Sequence, residues 1–194
     1  MSPPVLILPG WLGSGAGHWQ SRWEGLYGDK RVEQHEWQHP LRGDWMIQLE
    51  EAVLAATGPV LLAAHSLGCV LVAAWATHSA HYARVAGALL VAPPDLTRPE
   101  LAAPLRTWSP IPRQRLPFAA RVVASRDDPY GSFEHAAALA GAWGAALTDA
   151  GSRGHLNADS GLGDWPEGRA LLRALVVPAT PSDGHLPIPH HGNS

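Results

Sequence analysis

Apolar residues along this chain fall into two alternating kinds of run. Short continuous stretches rich in Val, Leu and Ala are separated by longer ones in which apolar residues recur at helical spacing. Val5–Leu8 reads as a buried strand closed by Pro9-Gly10, and Arg31–Trp37 as a weaker one. Asp44 stands as the N-cap of a helix that places Trp45, Leu49, Ala52, Val53 and Ala56 on one face and ends at Gly58. Val60–Ala64 is a strand and Leu67–His78 a helix; Val85–Ala92 and Arg121–Ser125 are two more buried strands. Ser132 caps a helix reaching about Trp143, and Ala145–Ala150 is a further strand. Asp164-Trp165-Pro166-Glu167 opens a last helix, through Val177, as a capping box with proline in the first turn. Strands alternating with helices predict an α/β domain over residues 1–177, with a mostly parallel central sheet and helices on both faces.

Two segments break the alternation. Residues 93–117 hold seven prolines and read as an extended excursion or small lid. Residues 178–194 are polar and proline-rich, a tail expected to be poorly ordered. Its His185, His190 and His191 lack the Cys or carboxylate partners that would complete a metal site.

Residues 58–76, GPVLLAAHSLGCVLVAAWA, are apolar enough to raise the question of a membrane span. His65, Ser66 and Gly68 near the centre, alanine as the commonest side chain and no flanking Lys or Arg argue against one. The chain of 194 residues carries a net charge of -3 and no basic run, so neither nucleic acid nor an anionic membrane is an expected partner. One cysteine, Cys69, permits no internal disulfide, and the first residues lack the pattern of a secretory signal. A cytoplasmic location is the expectation.

Candidate chemistry begins at Ala64-His65-Ser66-Leu67-Gly68, where a strand, a tight turn and a helix meet. This is the layout of a nucleophile elbow, with alanine at the first of its two small-residue positions. The competing reading makes Ser66 an ordinary helix N-cap. A serine hydroxyl needs a base, and the base an orienting carboxylate, in chain order Ser, Asp or Glu, His on loops after strands. Asp127-Asp128 follows one late strand and His155 the next. Either aspartate could reach the His155 loop. The Ser66 and His155 side chains should then approach to about 2.6–3.2 Å, or slightly further without substrate. The Leu67 N–H, directly after the nucleophile, is one oxyanion donor, and the Trp11 N–H of the Gly10–Ser14 loop the expected second. Trp11, Trp19 and Tyr130 are candidate substrate-binding residues. His65 reads as packing or hydrogen-bonding behind the site, His18 as structural although it could face the site, Cys69 as a small buried residue, and Asn157 and Asp159 as braces of the His155 loop.

LPGW near the start, AHSLG, VAPPD at 91–95, SRDDPY at 125–130 and GHLNADSGLGDWPEG at 154–168 resemble the small α/β-hydrolases grouped with YdeN and retinoblastoma-binding protein nine. The resemblance spans about residues 5–177. It implies an α/β-hydrolase fold with minimal or no cap domain and a serine hydrolase triad of Ser66, Asp128 and His155, favouring Asp128 over Asp127. It implies no metal or organic cofactor and a small-molecule acyl substrate, esters foremost, with peptidase or thioesterase action open to the same triad. A protein-interaction module on a hydrolase scaffold is the alternative, and a protein partner is compatible with either reading.

Overall fold

The computed structural model describes residues 2–176. Six parallel strands form one sheet: β1 (Val5–Leu8), β2 (Lys30–Arg31), β3 (Val60–His65), β4 (Val85–Val91), β5 (Ala120–Ala124) and β6 (Ala146–Asp149), in the order β2-β1-β3-β4-β5-β6. The helices are α1 (Trp19–Tyr27), α2 (Arg42–Ala55), α3 (Leu67–Ala76), α4 (Phe133–Trp143) and α5 (Pro166–Arg173).

Successive strand residues point to opposite faces, and the core divides accordingly. Leu6, Leu8, Leu62, Ala64, Leu90 and Val122 pack with α2, α3 and α4 on one side. Val5, Ile7, Leu61, Ala63, Leu89 and Val123 pack with α1 and α5 on the other. Burial on both faces is why these strands read as continuous apolar runs. The residues 58–76 are therefore two packed elements, β3 and an α3 buried from Leu67 to Trp75. Among the described residues, no helix is long and apolar enough to cross a membrane. Tryptophans fill both layers: Trp45, Trp75, Trp108 and Trp143 on the first face, Trp19, Trp23 and Trp165 on the second.

Several element boundaries differ from the sequence reading. The second strand occupies only Lys30–Arg31, because the chain turns away after Val32 N–H bonds the Ile7 carbonyl. Helix α2 starts at Arg42 after an extended Leu41, so Asp44 lies in its first turn, where a carboxylate complements the helix dipole without capping. Asp164 does not cap α5. Its carboxylate is drawn to Arg22, and Trp165, with φ of 44°, takes the cap position with no side-chain bond. The helix ends at Arg173; Val177 and the tail with its histidines lie outside the described residues. Residues 93–117 contain one 3-10 segment, Ala103–Trp108, whose Trp108 is fully buried against Trp45.

The strand order positions the site. From β1 the chain runs outward to β2, then returns to place β3 on the other side of β1. The loops after β1 and β3 consequently diverge at the carboxyl edge, leaving the crevice where open α/β sheets take ligands.

Candidate active site

That crevice holds a cavity of about 550 Å³ lined by residues from the loops after β1, β3, β4, β5 and β6, among them Trp11, Ser66, Leu101, Tyr130 and His155. Among the described residues, five non-glycine residues have positive φ, and four follow strands here: Leu12 (66°), Ser66 (53°), Ala92 (53°) and Leu156 (51°). Each such residue is held against about 1–3 kcal/mol of strain, which the surrounding packing must overcome.

Ser66 adopts φ 53° and ψ -120°, outside the extended region of an N-cap, and its hydroxyl makes no capping bond. Ser66 thus occupies the N-cap position of α3 without its side chain capping the helix. The turn is forced by close packing. A Cβ on Gly68 would stand 2.3 Å from the Leu8 carbonyl oxygen, and one on Gly10 would stand 2.9 Å from Ser66 Cβ. Gly68 is thus required by the neighbouring strand β1, whose end the start of α3 nearly touches. The Leu67 N–H opens α3 and has no acceptor one turn back within the helix. Trp11 N–H likewise has no acceptor among the described residues, while its indole N–H bonds the Gln38 carbonyl at 2.9 Å.

His155 Nδ1 lies 2.9 Å from both carboxylate oxygens of Asp128. Only the Nδ1–H tautomer can donate there, which leaves the Nε2 lone pair free in the neutral ring. Both side chains are largely buried, 9% and 3% exposed, in a setting that strengthens a charge-assisted pair. Ser66 Oγ makes no hydrogen bond to His155 or to any other described residue; the two share the cavity wall without the direct bond expected from sequence. Such bonds tighten with substrate present.

Asp127 has a different task from its neighbour. Its Oδ1 accepts from Ser125 Oγ at 2.7 Å and from the Gly154 N–H at 2.7 Å, and these bonds hold its carboxyl below the usual carboxylate range. Ser125 Oγ in turn accepts from the Arg153 N–H at 2.8 Å. Ser160 Oγ donates to the Arg153 carbonyl and accepts from the Asn157 N–H. Asn157 is a brace as expected, but Asp159 is not: its backbone N–H, and not its carboxylate, joins the turn by bonding Asn157 Oδ1.

Trp19 requires a correction. It is 1% exposed and lies beneath the cavity instead of lining it, stacked edge-on against Trp23 and Trp165. Its indole N–H donates to the Leu156 carbonyl at 3.0 Å, so it supports the His155 loop from the core. Trp11 and Tyr130 do line the cavity. His18 lines it as well, with Nδ1 accepting the Gln20 N–H and capping α1. Burial foremost, then the proximity of His155, lowers the pKa of His18 to about 3, so it is neutral at ordinary pH. Cys69 is inert, since burial pushes its thiol up and its Sγ–H points to the Val91 carbonyl. Among the described residues, no His, Cys, Asp and Glu cluster could hold a metal ion.

A parallel sheet with the sharp left-handed turn after β3 and the Asp–His pair on the next loops is the architecture of the α/β-hydrolases. The chain matches the Serine hydrolase family over residues 5–174 and belongs to it. A putative YdeN-like hydrolase from Pectobacterium atrosepticum is 30% identical, superimposes with a TM-score of 0.78, and is matched over 91% of this chain and 94% of its own. The ydeN gene product of B. subtilis is 21% identical with a TM-score of 0.69, over 90% and 98% of the two chains. A thermophilic esterase from Thermogutta terrifontis shares the fold at 18% identity and a TM-score of 0.61, over 91% and 92%. No curated protein matches the chain. The protein is an enzyme of the serine hydrolase class, with its substrate unassigned.

Proposed function

We propose that this enzyme hydrolyses carboxylic esters or related acyl compounds through an acyl-enzyme on Ser66. The observation that carries the reading is the His155 Nδ1 contact to both oxygens of Asp128, on the same cavity as a left-handed Ser66. His155 Nε2 takes the Ser66 proton as Oγ attacks the acyl carbon, and Asp128 stabilises the imidazolium that results. The unpaired Leu67 and Trp11 N–H groups receive the oxyanion as it forms, in a site where fixed donors act with little solvent competition. His155 then protonates the leaving group, and a water activated by the same ring releases the acid. Trp11 and Tyr130 form walls for the substrate.

Hydrolysis of p-nitrophenyl acetate near neutral pH by the wild type and by Ser66→Ala tests this. Turnover in the wild type and its loss in a folded Ser66→Ala are expected. Equal turnover by both proteins would overturn the assignment of Ser66.

A further inference from the structure

His65 precedes the nucleophile, and its side chain turns away from Ser66 toward the base. Its Nε2 lies 2.8 Å from the backbone carbonyl oxygen of His155. A carbonyl only accepts, so the proton of neutral His65 is on Nε2. The ring is 5% exposed and held in place on both sides: His18 meets it edge-on at 4.6 Å, and the His155 ring at 4.8 Å. His18 is itself fixed by the Gln20 N–H. Trp19 makes the matching bond to the next carbonyl, that of Leu156.

We propose that His65 is a positioning residue that sets the reach between nucleophile and base, by joining the Ser66 turn to the His155 backbone through one hydrogen bond. Two loops, after β3 and after β6, come from strands separated in the sheet by β4 and β5. Asp128 orients the His155 ring but leaves its backbone unplaced relative to Ser66. The His65 bond ties the residue beside one reacting group to the main chain of the other. Burial, followed by the neighbouring His18 and His155, drives the pKa of His65 well below its ordinary value, so it stays a neutral donor. The role rests on the hydrolase reading above, since a reach between Ser66 and His155 matters only if the two react together.

The test compares the wild type, His65→Phe, which keeps a ring and loses the donor, and His65→Gln, which keeps a donor. Labelling rates with a fluorophosphonate and steady-state kinetics with p-nitrophenyl acetate are measured alongside thermal unfolding. His65→Phe is expected to lose about 10–100-fold in kcat and labelling rate with KM little changed, as a small misplacement of reacting groups does. His65→Gln is expected to recover most of that loss. A folded His65→Phe that labels at the wild-type rate overturns the proposal, as does a folded His65→Gln that loses as much as His65→Phe. A wild type that never labels overturns the hydrolase reading instead. If neither variant folds, the wild type still decides through nitrogen-15 spectra of its histidines. A His65 ring protonated at Nε2 from about pH 5 to 8 supports the bond, and protonation at Nδ1 overturns it.

Discussion

The turn carrying Ser66 and the loop carrying His155 face one cavity but are held by different forces. The serine turn is shaped by exclusion: Gly68 is pressed to the Leu8 carbonyl, Gly10 to Ser66 itself, and every residue of α3 from Leu67 to Trp75 is buried. The histidine loop is shaped by hydrogen bonds, with Ser125 and Asp127 on the Arg153 and Gly154 N–H groups and His65 and Trp19 on the next two carbonyls. Packing fixes a position through volume and tolerates any pH. A polar network fixes it through protons and is lost one bond at a time. The Ser66 turn should therefore fail by unfolding, and the His155 loop by misalignment.

The largest effect is expected at the packed turn. Gly68→Val must displace the end of β1, at a cost above the about 1–3 kcal/mol typical of overpacking, because the obstacle is backbone. Urea unfolding should show either no cooperative transition or a sharply lowered midpoint. Asp128→Asn should leave the fold nearly intact yet lower kcat by about 10⁴-fold, since the amide favours the wrong His155 tautomer. Asp127→Ala removes the acceptor that braces the Gly154 N–H and Ser125 Oγ but no contact to the His155 ring, so a loss of about 10–100-fold is expected. If Asp127→Ala proved as damaging as Asp128→Asn, the division of labour between the two carboxylates would be wrong.

The smallest effect is on acid stability. His18 is neutral in the fold, with a pKa lowered to about 3 against 6.5 for the free side chain. The unfolded chain therefore binds the extra proton first as pH falls. The stability tied to neutral His18 is complete above pH 6.5 and is lost progressively toward pH 3. His18→Asn, which keeps an acceptor for the Gln20 N–H but does not titrate, should show a shallower fall in Tm over that range. An equally steep fall would assign the acid sensitivity elsewhere.

The same contrast explains what could be read from the sequence. Packing leaves a local signature: strands buried on both faces appear as apolar runs, and the small residues around Ser66 mark the tight turn. The sheet and the tight turn at Ser66 were legible for that reason. The resemblance to known hydrolases, more than spacing, separated Asp128 from Asp127. Hydrogen bonds between distant segments leave no local signature. Trp19 looked like a pocket wall, although its indole bonds a carbonyl 137 residues away. The sequence could not name the partner of His65, because that partner is a backbone oxygen 90 residues on. Ser125 and Ser160 gave no signal in the sequence, since any serine near a turn looks the same. Boundaries slipped where a charge had a competing partner, as Asp164 did with Arg22.

The central claim is that Ser66 is the nucleophile and His155 its base. Its most direct test is fluorophosphonate labelling of the wild type, Ser66→Ala and His155→Ala, followed by digestion and mapping of the modified residue. The phosphonate is expected on Ser66 in the wild type and absent from Ser66→Ala, with strongly slowed labelling in His155→Ala. Modification of a different residue, or labelling of folded Ser66→Ala at the wild-type rate, would contradict it.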